Sequence, residues 1–136
     1  MIIAVDFDGT IVTHEYPKLG ELVPGAKETI NTLAENGHKI FLYTMRDRDT
    51  LLEAKQFIIA NDIKINKFNE SPAQFSTSPK QYAHIYIDDA AAAVPVMNYK
   101  GHRVIDWGII AWYLHIQELI TDEQYANIHR ILPNDR

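Results

Sequence analysis

The sequence contains no cysteine in its 136 residues, which excludes disulfides, thiolate chemistry and cysteine-ligated zinc. It also lacks any apolar run close to the length of a membrane-spanning helix, and its N-terminus has the pattern of a core strand instead of a signal peptide. The six histidines are scattered and show no metal-ligand spacing. We therefore expect a cytoplasmic protein that has no membrane partner.

Internal repeats, low-complexity tracts and interdomain linkers are absent as well. A chain of this length has room for one domain with a sizeable core and none for a second. The net charge of -5 disfavours broad electrostatic attraction to nucleic acid, so nucleic acid is not the partner we expect.

Five segments have the apolar, β-branched character of strands, and helical patterns alternate with them. The segments are residues 2–6, 39–44, 63–68, 84–88 and 103–106. This alternation is typical of βαβ units and predicts an α/β fold with a mainly parallel sheet. The third segment alternates isoleucine with polar residues, as expected of an edge strand.

Helical patterns follow the first two strand segments. The first predicted helix begins near Pro24, and Gly37 is placed to stop it. The second begins near Asp49 or Thr50, where the sequence of residues 50–53 fits a capping box.

Two further helical patterns lie in the second half of the chain. Ser78 fits the cap of a short helix that leads into the fourth strand. Residues 109–120 are apolar almost all round. We therefore expect either the tail, residues 121–132, or another copy of the chain to cover them.

The run of residues 2–12 carries the strongest functional signal. Its apolar strand delivers Asp6 and Asp8 onto a turn at Gly9, which is suited to bend the chain back around a ligand. Side chains alternate along a strand, so the two carboxylates would share one face if the strand ran through both. Two acids this close require a cation or a proton between them. The motif therefore predicts a metal-assisted site.

Polar residues also end two of the other predicted strands. Thr44 ends the second strand, and Asp88 and Asp89 end the fourth. Ligands of open parallel α/β sheets bind beyond the carboxyl ends of the strands. If these strands are neighbours, their polar ends converge on one site.

These residues resemble the motifs of the haloacid dehalogenase (HAD) superfamily. Residues 6–12 (DFDGTIV) resemble its first motif, residues 41–44 (FLYT) its second and residues 85–89 (IYIDD) its fourth. The resemblance implies that residues 1–136 form one catalytic domain. Its fold would be a Rossmann-like three-layer sandwich whose five-stranded sheet has the order 5-4-1-2-3.

The same resemblance implies a role for each catalytic residue. Asp6 would be the nucleophile, Asp8 the general acid and base, and Thr44 a hydrogen-bonding partner of the transferring phosphoryl group. Family members place a lysine before the fourth strand, and Lys80 is the best match. Two other lysines on this connection, Lys64 and Lys67, remain alternatives.

The cofactor that the resemblance implies is Mg²⁺. Asp6 would hold it through its carboxylate, Asp8 through its backbone carbonyl, and Asp88 and Asp89 would complete the site. One of this last pair can cap the helix after the strand while the other faces the metal. We expect Asp88 to be the one that faces the metal.

Substrate contacts are expected from Gly9 and Thr10 on the first turn and from Arg46. Arg46 follows the second motif and has two alternatives: contact with a substrate anion, or a surface ion pair with Asp47 or Asp49.

The chemistry agrees with these roles. A carboxylate can form an acyl-phosphate that water later cleaves, but it approaches a phosphate dianion only if a hard cation cancels the repulsion. The intervals at residues 12–23 and 61–79 have no room for a cap domain. We therefore expect a capless, Mg²⁺-dependent phosphomonoester hydrolase that acts on a small phosphorylated molecule, with macromolecules left open. The alternatives are a phosphotransferase and a binding or regulatory module that has little catalysis.

Overall fold

Strands and helices alternate along the chain for most of its length. The computed structural model describes residues 1–75 and 77–133. The strands are β1 (Ile2–Val5), β2 (Lys39–Leu42), β3 (Lys67–Phe68), β4 (Ile85–Ile87), β5 (Val96–Tyr99) and β6 (His102–Ile105). The helices are α1 (Ala26–Glu35), α2 (Arg48–Ala60), α3 (Trp107–Ile116) and α4 (Asp122–Ile131).

The first four strands form one parallel sheet in the order β3-β2-β1-β4. In its register, Val5 pairs with Leu42 on one side and with Ile87 on the other. The last three residues of β1 are fully buried, as expected for the central strand of a parallel sheet. Because β1, β2 and β4 end level, the residues that follow them meet at one edge. The predicted α/β fold with a mainly parallel sheet is confirmed.

The last predicted strand has a different place from the one we expected. It corresponds to β6, which pairs with β5 in an antiparallel hairpin and not with the edge of the parallel sheet. Lys100 and Gly101 join the two strands, and both have positive φ, 51° and 86°. This is the turn geometry that favours a tight hairpin. Within the described residues, the parallel sheet therefore has four strands.

Helix α1 begins at Ala26, close to the predicted start near Pro24, and α2 begins at Arg48, one or two residues before the predicted start at Asp49 or Thr50. Asp47 is its N-cap, and Thr50 completes the capping box from the third helical position instead of starting it. The short helix expected at Ser78 is not formed among the described residues. The hydroxyl of Ser78 accepts a hydrogen bond from the backbone of Lys80 in a turn, and the local 3₁₀ helix is Ala73–Phe75.

Helix α4 packs against α3, so the tail covers part of the apolar segment as the first alternative predicted. The covered side of α3 includes Trp107 and Leu114, both fully buried. A stripe on its other side stays 41–50% exposed and consists of Ile109, Trp112, Tyr113 and Ile116. None of the helices described in residues 1–75 and 77–133 has the length and apolar character needed to cross a membrane.

Candidate functional site

Three carboxylates meet at the edge where the parallel strands end. Asp6 directly follows β1, and its backbone N–H donates to the carbonyl of Ile87 at 2.9 Å. Asp88 and Asp89 directly follow β4. One carboxylate oxygen of each aspartate lies within 4.8 Å of those of the other two. The structure thus brings together three residues that the sequence assigned to a metal, and their donor set could hold a cation.

The pKa of Asp6 is raised by its burial and by the two neighbouring carboxylates. Its pKa is raised to about 8, mainly because burial disfavours the charged carboxylate. A hydrogen bond with Asp89 and the negative charge of Asp88 raise the pKa further. Without a cation, the carboxyl of Asp6 is therefore mostly protonated at neutral pH. A bound metal would replace that proton.

Gly9 and Thr10 lie beneath the carboxylates and are both buried. The hydroxyl of Thr10 donates to Oδ2 of Asp6 at 3.1 Å and accepts from the backbone of Asp89 at 3.2 Å. The backbone N–H of Gly9 donates to the carbonyl of Val12 at 2.7 Å. We expected both residues to contact substrate. In the structure, the Thr10 hydroxyl and the Gly9 N–H form hydrogen bonds within the protein, and these bonds stabilise the first turn.

Asp89 lies directly against Gly9, which explains the need for glycine there. A Cβ at position 9 would overlap Oδ2 of Asp89 and lie 2.7 Å from its Cγ, and the φ of Gly9 is +82°. On its other side, Arg103 donates to the carbonyl of Asp89 at 3.0 Å, and its Nη1 lies 3.8 Å from the carboxylate. The position of Asp89 therefore depends on the turn of the first motif.

Asp88 is oriented by two donors. The backbone N–H of Ala90 donates to Oδ1 at 2.9 Å, so Asp88 caps the turn after β4. The hydroxyl of Tyr43 donates to Oδ2 at 3.0 Å. Burial, the hydrogen bond with Asp88 and nearby negative charge raise the pKa of Tyr43, so its hydroxyl remains a donor. Tyr43 was not among the predicted site residues, although it directly precedes Thr44 of the second motif.

A cavity of about 690 Å³ opens beside the carboxylates. Four predicted site residues line it, namely Asp6, Thr44, Lys80 and Asp88. The other lining residues are Tyr43, Met45, Asn69, Glu70, Ser71, Ser78, Pro79 and Gln81. The cavity therefore joins the ends of β1, β2 and β4 to the loop that precedes β4.

Lys80 differs in position from the two alternative lysines. It lines the cavity, and its Nζ lies 5.2 Å from the centre of the Tyr86 ring. Nζ of Lys64 lies 3.9 Å from a carboxylate oxygen of Glu35 at an exposed position. Nζ of Lys67 lies 5.9 Å from the centre of the Phe41 ring. Of these three lysines, Lys80 is the one that lines the cavity.

Thr44 is positioned by two backbone interactions. Its hydroxyl accepts from the backbone N–H of Arg46 at 3.2 Å, which leaves the hydroxyl hydrogen available to donate to a ligand. Its own N–H donates to the side chain of Asn69 at 2.8 Å, and Asn69 also donates to the carbonyl of Arg46 at 3.2 Å. Asn69 has a φ of 53°, a conformation that asparagine tolerates well. Asn69 was not among the predicted site residues either.

Neither alternative for Arg46 describes the structure. Its side chain is completely buried and forms a two-pronged ion pair with Asp8, from Nε to Oδ2 at 2.7 Å and from Nη2 to Oδ1 at 2.8 Å. A substrate anion has no access to it in this position, and the expected partners Asp47 and Asp49 are exposed to solvent. The carboxylate of Asp8 therefore faces Arg46.

A solved structure is similar to this chain, and the other comparisons gave no match. No profile of a known protein family matches the chain, and no curated protein matches it. The similar structure is that of a conserved protein coded by a locus of Bacteroides thetaiotaomicron. The two sequences are 35% identical over 91% of this chain and 95% of that chain, and the TM-score is 0.71.

Proposed function

The chain belongs to the same family as the conserved Bacteroides thetaiotaomicron protein, and from its own site we propose that it is a Mg²⁺-dependent phosphomonoester hydrolase. The reaction would pass through an aspartyl-phosphate on Asp6. The observation that carries this proposal is the position of Asp6: it belongs to the carboxylate cluster and also lines the cavity, beside Thr44 and Lys80.

The donor set suits Mg²⁺. Asp6, Asp88 and Asp89 offer only carboxylate oxygens, the ligands that hard divalent cations prefer. The raised pKa of Asp6 supports a resident cation, because two further carboxylates surround a group that must be ionised to attack. The backbone carbonyl of Asp8 is the fourth proposed ligand. When bound, the ion would neutralise negative charge on the phosphoryl group and on the cluster.

The residues divide the chemistry between them. The carboxylate of Asp6 attacks phosphorus, and the bond from phosphorus to the leaving alcohol breaks as Asp8 gives that oxygen a proton. Water then attacks the phosphorus of the aspartyl-phosphate, Asp8 takes a proton from that water, and Asp6 is released. Thr44 donates a hydrogen bond to the phosphoryl oxygens and Lys80 balances their charge.

We also propose that this protein is a capless HAD-type enzyme whose sheet corresponds to the Rossmann-like fold of that superfamily. The chain between β1 and α1 holds no helix, and the chain between β3 and β4 holds one turn of 3₁₀ helix among its described residues. The cavity is therefore open to water, which favours hydrolysis. A small phosphorylated molecule fits its volume of about 690 Å³.

A panel of phosphomonoesters assayed with and without Mg²⁺ tests this proposal. We expect hydrolysis that requires Mg²⁺ and that Asp6→Asn abolishes, while the control Asp49→Asn, at an exposed position on α2, keeps the wild-type rate. Hydrolysis that survives Asp6→Asn would contradict the role of Asp6. If no ester is hydrolysed but Mg²⁺ and phosphate still bind, the protein is a binding or regulatory module. Phosphoryl transfer to added alcohols would instead indicate a phosphotransferase.

A further inference from the structure

The guanidinium of Arg46 contacts three separate parts of the protein at once. Besides its ion pair with Asp8, Nη2 donates to the carbonyl of Lys18 at 2.7 Å and Nη1 to the carbonyl of Pro17 at 3.2 Å. A longer contact of 3.5 Å joins Nη1 to the carbonyl of Thr50. The donors of Arg46 are therefore directed at Asp8, at the loop of residues 13–21 and at the start of α2.

Two aromatic rings lie close to this guanidinium. Its central carbon lies 5.2 Å from the ring centre of Phe7, in the first motif, and 5.2 Å from that of Tyr16, in the loop. The side chain of Arg46 is 0% exposed, whereas that of Asp8 is 12% exposed. Asp8 thus keeps a small exposed fraction, two residues after Asp6 of the carboxylate cluster, while Arg46 is wholly buried.

We infer that Arg46 is a positioning residue that orients Asp8 for proton transfer and ties Asp8 to the loop of residues 13–21. This inference rests on the proposed hydrolase reaction. Each carboxylate oxygen can accept two hydrogen bonds. Arg46 occupies one acceptor site on each oxygen of Asp8. The second site of either oxygen can carry the proton that is given to the leaving oxygen and later taken back from water. A rigid two-pronged contact fixes where those second sites point.

A comparison of two leaving groups separates this role from a merely structural one. p-Nitrophenolate leaves without being protonated, whereas phenolate, which has nearly the same shape, depends more on a proton from Asp8. We expect Arg46→Met to lower kcat/KM for phenyl phosphate, which reports on the steps up to departure of the leaving group, by roughly 100-fold, within the range of general acid catalysis. For p-nitrophenyl phosphate, we expect a loss of less than about 10-fold. Arg48→Met, at an exposed position two residues along the chain, should leave both rates unchanged.

The double variant Asp8→Asn with Arg46→Met gives the second readout. If Arg46 acts through Asp8, the double variant hydrolyses phenyl phosphate no more slowly than Asp8→Asn alone. Equal losses for the two esters, or losses that multiply in the double variant, would overturn the inference and leave the proposed function standing. If the wild type hydrolyses no ester, the proposed function fails instead.

Limited proteolysis tests the tie to the loop without any activity measurement. Trypsin cuts after Lys18 by attacking the same carbonyl that accepts the hydrogen bond from Arg46. We expect Arg46→Met to speed cleavage between Lys18 and Leu19 by roughly tenfold or more, relative to Arg48→Met, because the loop opens more often. An unchanged cleavage rate would show that Arg46 does not hold the loop.

Arg46→Lys covers the case in which Arg46→Met does not fold, since loss of one partner of a buried ion pair is strongly destabilising. Lysine keeps the positive charge but cannot form the two-pronged contact. We therefore expect this variant to fold, to show the same preference for p-nitrophenyl phosphate and to be cut faster at Lys18. Wild-type behaviour of Arg46→Lys in both measurements would overturn the inference.

Discussion

The hydroxyl of Tyr43 donates a 3.0 Å hydrogen bond to Oδ2 of Asp88, and the strands that these residues follow are not neighbours in the sheet. The bond joins residues that are 45 positions apart in the chain. Asp88 belongs to the carboxylate cluster, so the hydroxyl of Tyr43 orients a proposed metal ligand through this hydrogen bond. Removal of such a partner usually weakens metal binding without removing a ligand.

Tyr43→Phe should therefore lower the affinity for Mg²⁺ by about 10- to 100-fold. The measurement is the Mg²⁺ concentration that gives half-maximal hydrolysis. Tyr113→Phe, which changes a tyrosine at the exposed stripe of α3, is the matched control. An unchanged Mg²⁺ requirement in Tyr43→Phe would mean that the ligand position of Asp88 does not depend on this hydroxyl.

Gly9→Ala should damage both stability and metal binding. Its new Cβ would overlap the carboxylate of Asp89 at a φ of +82°. Gly37→Ala provides a control for backbone strain alone, because Gly37 has a φ of +90° and a Cβ at that position would meet nothing within 4 Å. We expect Gly37→Ala to lower the free energy of unfolding in urea by about 1 kcal/mol. Gly9→Ala should lower the free energy of unfolding by more than this. It should also raise the Mg²⁺ concentration that gives half-maximal hydrolysis.

Stability without metal should fall as the pH rises. The pKa of Asp6 is about 8 in the folded protein against 3.8 for the free side chain. The folded state therefore holds more protons than the unfolded state between these two values, and stability is lost as the pH rises toward the folded pKa. Urea unfolding in chelator should show a decrease of at most about 1.4 kcal/mol per pH unit across this window. Asp6→Asn should flatten that slope; an unchanged slope would assign it to other groups.

Lys80→Met should lower kcat/KM for phosphomonoesters by roughly 100-fold or more, because it would remove the cation that we propose to balance the charge of the phosphoryl group. The affinity for Mg²⁺ should stay near the wild-type value, since Lys80 is not part of the carboxylate cluster. Lys64→Met is the control, at an exposed position paired with Glu35. Equal losses in the two variants would contradict the assignment of Lys80 to the cavity chemistry.

Sequence patterns predicted the convergence of the site well. Apolar runs located β1, β2 and β4, and parallel pairing then required Asp6, Thr44 and Asp88 to meet at one edge. The β5–β6 hairpin was not predicted, because the pattern of residues 96–99 is weak and the tight turn at Lys100 and Gly101 determines the pairing.

The side-chain contacts were the part that could not be predicted. The ion pair of Arg46 with Asp8 spans 38 positions, and its geometry depends on how the loop of residues 13–21 folds back toward α2. In the sequence, Asp47 and Asp49 are nearer to Arg46. Arg46 pairs with the distant Asp8 instead. A buried bidentate contact has a defined geometry and is stronger than an exposed ion pair, which contributes little.

Burial of Asp6 has a consequence for the conditions under which the site is filled. A magnesium ion bound as proposed would compete with a proton for this carboxylate, whose pKa in the metal-free protein is raised to about 8. Below about pH 8, each unit of acidification would require roughly ten times more free magnesium for the same occupancy. The protein would then respond to the ratio of the two ions, and not to either concentration alone.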